Sequence, residues 1–171
     1  MLPLDEYQAI RTGTGIVDRS IRGRVALRGQ DRLVYLHGLL TNDILALKPG
    51  HGCYSAYLTP QGRMITDMSV LEIEGMTLLD VPSSIPGRLV QMFDGLVFTE
   101  DVQVVDLTSG WTSIGIYGPS SAGKLAAVFN SKTVVTSEQQ LLALRENDNI
   151  QLVFEEAAVV VTRTNETGLI G

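Results

Sequence analysis

Residues 53–81 read CYSAYLTPQGRMITDMSVLEIEGMTLLDV. In the first part Tyr54, Ala56 and Leu58 alternate with Cys53, Ser55 and Tyr57, the two-residue period of a strand with two different faces. Thr59-Pro60-Gln61-Gly62 then reads as a tight turn. Arg63 to Ile73 forms a second strand. Met64, Thr66, Met68 and Val70 face one way, and Ile65, Asp67, Ser69 and Leu71 the other. Glu74-Gly75 turns the chain into a third strand, Met76 to Val81. Short turns between successive strands imply antiparallel pairing.

Working outward, single helices flank these strands. Upstream, Leu4 to Arg11 is a short helix that ends at Thr12-Gly13-Thr14-Gly15. Arg24 to Arg28 is a strand with Val25 and Leu27 on one face. Asp31 caps a helix with Leu33, Leu36 and Leu40 on one stripe. Thr41-Asn42-Asp43 breaks that helix, and Lys48-Pro49-Gly50 turns. Downstream, Ser83 or Ser84 caps a helix with Pro86 in its first turn and Leu89, Val90 and Phe93 inward. Val102 to Leu107 and Trp111 to Tyr117 are strands. Gly118-Pro119 opens a helix through Leu125, Val128 and Phe129. Ser137 and Gln140 have capping-box spacing at the start of a helix running to Glu146. Ile150 to Phe154 and Val159 to Thr164 pair as a hairpin across Glu155-Glu156. Hairpins mixed with single helices make an α+β protein, with antiparallel sheets and helices on one face.

Composition narrows the function. The 171 residues are 44% apolar and 19% charged, a globular balance. No apolar run is long enough to span a membrane, and the acidic start MLPLDEYQAI lacks the pattern of a signal peptide, so the chain reads as soluble and cytoplasmic. One cysteine, Cys53, and two histidines, His37 and His51, exclude an internal disulfide and a Cys/His zinc site; no metal is expected. A net charge of −6 argues against general nucleic-acid binding. The charge is uneven, since Arg11 to Arg32 holds six Arg and two Asp. That stretch reads either as a solvated basic face or as a local anion site.

Two motifs carry potential chemistry. Gly118-Pro-Ser-Ser-Ala-Gly123-Lys124 imitates a phosphate-binding loop between strand and helix. Leu125 stands where magnesium needs a Ser or Thr hydroxyl, and only 47 residues follow Lys124. It therefore reads as a proline-started helix terminus. Asp67 lies within a strand among apolar neighbours, so it must be paired, solvated or functional.

The runs Asp31-Arg-Leu-Val-Tyr-Leu-His-Gly-Leu-Leu-Thr-Asn-Asp43, Leu47-Lys-Pro-Gly50 and Leu58-Thr-Pro-Gln-Gly62-Arg63 to Asp67 resemble the T-protein superfamily. Val17-Asp18-Arg19-Ser20, Gly118-Pro119 and Arg163-Thr164 with Thr167-Gly168 fit the same pattern. That superfamily holds the folate-dependent aminomethyltransferases of glycine cleavage and the YgfZ-type folate-binding proteins. The resemblance implies two ferredoxin-like lobes, the first interrupted by the second: residues 1–50 plus 107–171, and residues 51–106. It also implies that the chain is an N-terminal portion, with the family's C-terminal barrel absent and its folate-gripping glutamate just past Gly171.

Its tetrahydrofolate site maps here to Asp67 as the catalytic carboxylate, with Asp67, Leu78, Asp80 and Arg163 as binding residues. The Leu-His-Gly-Leu-Leu-Thr-Asn-Asp wording is closer to the YgfZ-type branch. That favours a folate-binding factor in the maintenance of iron–sulfur proteins, with an aminomethyltransferase as the alternative and a folate-free interaction domain as a third reading. The implied partners are folate and either a lipoyl carrier protein or iron–sulfur proteins, with no nucleic acid and no membrane. An apolar face meant for the barrel would favour a homodimer.

Overall fold

A computed structural model describes residues 4–130 and 136–165. In chain order the elements are α1 (Leu4–Thr12), β1 (Gly15–Asp18), β2 (Gly23–Arg28), α2 (Arg32–Leu39), β3 (Gly52–Leu58), β4 (Met64–Ile73) and β5 (Met76–Val81). There follow α3 (Pro86–Asp94), β6 (Gln103–Asp106), a 3₁₀ turn at Thr108–Gly110, β7 (Ile114–Tyr117), α4 (Ser121–Asn130), α5 (Glu138–Ala143), β8 (Asn149–Phe154) and β9 (Ala157–Thr162). Among the described residues all the strand pairs are antiparallel and no sheet closes into a barrel.

The chain divides into two compact units, Ser20–Thr112 and Met1–Arg19 with Ser113–Gly171. These boundaries differ from those expected at 50 and 107. The reason is strand pairing. β2 lies between β5 and β6 in one five-stranded sheet ordered β3-β4-β5-β2-β6. Residues 20–50 therefore belong with 51–112.

In the unit Ser20–Thr112, α2 and α3 supply one side of the core. Val25, Leu27, Met68, Val70, Leu79 and Val81 point from the strands into a cluster with Leu36, Leu40, Leu89 and Phe93. The ring of Phe93 meets those of Tyr57 and Tyr35 edge-on, with centroids 5.1 and 6.3 Å away. Ile65 also packs against this cluster rather than beside Asp67. The β3–β4 ladder shifts register at Tyr57/Leu58, and such an irregularity turns a side chain out of strict alternation.

Two helix starts differ from expectation. Asp31 is the N-cap of α2 but makes no side-chain cap. Its Oδ2 instead accepts the Asp101 N–H at 2.8 Å, while Asp101 Oδ2 accepts that of Gln30 at 3.0 Å. For α3 the N-cap is Ile85, with Pro86 beginning the helix. Proline supplies a helical φ and has no N–H to satisfy, so a serine cap is dispensable there.

In the other unit, β1 pairs with β7, a strand too short to stand out in the sequence. The 3₁₀ turn displaces the start of β7 from Trp111 to Ile114. On α4 the inward residues include Ala126 and Phe129, while Val128 is exposed. The α5 capping box forms as read, the Ser137 side chain accepting from Gln140 N and the Gln140 side chain from Ser137 N. The hairpin β8–β9 turns at Glu155 and Glu156, both at positive φ. Phe154 stacks edge-on against Phe129 of α4 with centroids 5.5 Å apart.

Candidate functional site

The sheet face opposite α2 and α3 collects the polar residues. Residues directly opposite in an antiparallel pair share a face. The register Tyr54↔Ser69, Ala56↔Asp67, Ser69↔Asp80, Leu71↔Leu78 and Arg24↔Asp80 therefore puts Tyr54, Asp67, Ser69, Leu78, Asp80 and Arg24 together. The strand alternation read from the sequence thus unites three of the expected site residues, Asp67, Leu78 and Asp80, on one surface. Arg163 belongs to the other unit. There its Nη1 donates to the carbonyls of Leu142 (2.9 Å) and Leu144 (3.2 Å).

Asp67 sits mid-strand and half-buried. Tyr54, diagonal to it on β3, donates its hydroxyl to Asp67 Oδ2 at 2.5 Å. Ser69, directly across from Tyr54, is small and leaves the ring room to lean that way. The Tyr54 phenol is raised above its ordinary pKa. The hydrogen bond to Asp67 is the main cause, followed by slight desolvation and the Asp67 charge, with the Arg22 charge opposing. The phenol is thus a proton donor throughout the neutral range. It occupies one of the two Asp67 oxygens.

Asp80 is held differently. Arg22 Nε lies 2.6 Å and Arg24 Nη1 3.0 Å from Asp80 Oδ1, and Arg22 Nη2 donates to the Asp80 carbonyl at 3.2 Å. Arg24 is only 7% exposed. Leu78 is buried and forms part of the floor of this face.

Most of the basic stretch is therefore paired rather than one solvated face, although Arg11 and Arg28 are exposed. Arg32 pairs with the buried Glu72, Arg19 Nη1 donates to the Tyr117 hydroxyl at 2.8 Å, and Arg11 lies over the Tyr7 ring. In the sequence Asp67 stood out as a charge on a strand, whereas Asp80 came only with the family resemblance. Tyr54 and Arg22 carried no such signal, because their roles depend on a diagonal neighbour and on cross-strand register.

The phosphate-loop lookalike is filled by backbone. Gly118 has φ +112°, and a Cβ there would lie 2.5 Å from the Gly13 carbonyl oxygen and 2.6 Å from that of Ile10. The Ser120 N–H is bonded to the same Gly13 oxygen at 3.1 Å. A donor so occupied is not available to a phosphate.

The architecture places the chain in a fold class. It matches the crystal structure of the glycine cleavage system aminomethyltransferase T from Bartonella henselae with a TM-score of 0.81 at 21% identity, over 98% of this chain and 43% of that one. The family model of the GCVT N-terminal domain matches residues 3–171, and the chain belongs to that family.

Among sequence relatives, an aminomethyltransferase of Bacillus velezensis is 30% identical over 127 residues, 71% of this chain and 33% of the relative. One from Chlorobaculum tepidum is 28% identical over 170 residues, 97% of this chain and 44% of the relative. The chain spans less than half the length of these relatives. They favour the aminomethyltransferase reading over the YgfZ-type iron–sulfur reading. Among the described residues no helix is long and apolar enough to cross a membrane.

Proposed function

We propose that this chain supplies the Asp67 face of an aminomethyltransferase, which moves a one-carbon unit from a lipoyl-bound aminomethyl group to tetrahydrofolate. The supporting observation is Asp67 itself, a half-buried strand carboxylate with one oxygen anchored by Tyr54. In that transfer the carbon exchanges its bonds to the lipoyl sulfur and to its own amine, which leave as a thiol and ammonia, for bonds to two folate nitrogens, each of which gives up a proton. A carboxylate within hydrogen-bond reach orients such a nitrogen and accepts its proton, a contribution of typically 10²–10⁴-fold. Asp67 is the catalytic residue in this reading. Leu78 shapes the floor beneath the ligand, and Asp80, fixed by Arg22 and Arg24, holds the adjoining polar rim. Arg163 is assigned to folate binding by family resemblance. Tetrahydrofolate is a substrate here, and a lipoyl-bearing carrier protein is the second partner.

The test is Asp67→Asn, nearly isosteric but unable to accept the proton. Transfer from an aminomethyl-lipoyl carrier protein to tetrahydrofolate should fall by about 10²–10⁴-fold with the melting temperature nearly unchanged. Undiminished transfer would leave Asp67 a solvated strand acid. Failure of tetrahydrofolate to perturb any resonance of the unaltered chain at millimolar concentration would overturn the folate assignment.

A further inference from the structure

Tyr54 is 58% exposed, yet both ends of the residue are tied. At the ring end its hydroxyl bonds Asp67 Oδ2. At the backbone end its carbonyl accepts from Asn42 Nδ2 at 2.8 Å. Asn42 belongs to the loop that follows α2 and lies along the outer edge of β3. Leu40 bridges Tyr57, Thr41 N donates to the Ala56 carbonyl at 3.1 Å, and Thr41 Oγ1 accepts from Ala56 N at 2.9 Å. Asn42 N donates to Ser55 Oγ at 3.2 Å. The Thr41-Asn42 pair thus does more than end a helix. It completes the edge of β3 over the two residues on either side of Ser55, one of which is Tyr54.

We propose that Tyr54 is a positioning residue for Asp67, and that Asn42 in turn fixes Tyr54. An exposed tyrosine ordinarily samples several rotamers, and a strand carboxylate on an open face does the same. The hydrogen bond between them holds both. It also chooses which Asp67 oxygen meets an incoming amine, because Oδ2 already accepts the phenol. The one-carbon reaction rests on the proposed function above; the hold of Tyr54 on Asp67 does not. The other charged groups on this face, Asp80 on β5, Arg24 on β2 and Arg22 just before it, hold one another and are left in place by the test.

The experiment has two arms on the whole chain. The first follows the Tyr54 ring by NMR through an alkaline titration, in the unaltered protein, Asp67→Asn and Asn42→Ala. The hydrogen bond to Asp67 holds the phenol above its ordinary value. Weakening it should move the Tyr54 midpoint downward in Asp67→Asn, and Asn42→Ala should move it the same way by less. The second measures transfer to tetrahydrofolate. Tyr54→Phe should lower kcat by about 10–100-fold with KM changed less than about threefold, as for a misplaced catalytic group. A purely structural tyrosine would alter thermal stability and leave kcat alone. An unmoved midpoint in both variants overturns the positioning role. Should Asp67→Asn transfer normally while the midpoint moves, the functional reading falls and the positioning role stands. Because Tyr54→Phe removes only an exposed oxygen it should fold, and Asn42→Ala supplies an independent second perturbation.

Discussion

Breaking the Glu72–Arg32 pair should destabilise the unit Ser20–Thr112 more than any surface charge change. Glu72 is 1% exposed, on the sheet face that meets the helices. One of its oxygens pairs with Arg32 Nη2 and the other accepts the Thr77 hydroxyl at 2.5 Å. Arg32 Nη1 reaches the Gly29 carbonyl at 3.0 Å, and its Nε is buried without a partner. Glu72→Gln leaves a buried guanidinium without its counter-charge. Removing one partner of such a pair costs about 3–5 kcal/mol. With a urea m-value of about 1–3 kcal/mol per M, the unfolding midpoint should drop by roughly 2 M.

The triple change Arg32→Met, Glu72→Leu, Thr77→Val should recover most of that loss. It removes charge and hydroxyl together, and well-packed apolar replacements of buried pairs are often neutral or better. Urea titration followed by far-UV circular dichroism reads both variants. A loss below about 1 kcal/mol for Glu72→Gln, the range of exposed pairs, would refute the reasoning, because the pair would then be solvated in solution.

Two further predictions follow from the same unit. The Tyr35 phenol is pushed up to about 12, first by burial and then by the charges of Tyr57, Glu100 and Asp94, while its hydroxyl donates to the Phe93 carbonyl at 2.5 Å. The folded value lies above the unfolded one, so this contribution is fully present below pH 10 and lost as pH rises towards 12. Alkaline unfolding curves should flatten over that window in Tyr35→Phe. Arg24→Gln should cost about 1.5–3 kcal/mol through its buried bond to Asp80, and the half-exposed Arg22→Gln distinctly less. Paired thermal melts check this, and equal small losses would return both to a solvated face.

The strands around Asp67 were legible because their signal is local. A two-residue period between short turns needs no distant partner, so β3, β4 and β5 could be read directly, and so could the side of their residues beyond the register shift near Met64 and Ile65. The Ser137 capping box and the Glu155-Glu156 hairpin turn are local for the same reason. Asp67 stood out as a charge on a strand, whereas Asp80 joined it only through the observed register of β4 and β5.

What the sequence could not state depends on who lies opposite whom. Serines near Pro86 looked like caps, but proline made a cap unnecessary. Six arginines in a row of turns and strands looked like one basic face. The tertiary structure gave four of them, Arg19, Arg22, Arg24 and Arg32, distant partners in Tyr117, Asp80 and Glu72, each at least 40 residues away in the chain. Lobe boundaries moved for a similar reason, since β2 joins a sheet whose other strands lie later in the chain. Periodicity and turns belong to neighbouring residues, so the sequence alone determined most of the elements, the short β1 excepted, and the faces of the regular strands. Partners of buried charges, the grip of Tyr54 on Asp67 and the seat of Gly118 against the Gly13 carbonyl require segments brought together from afar, and only the folded chain decides them.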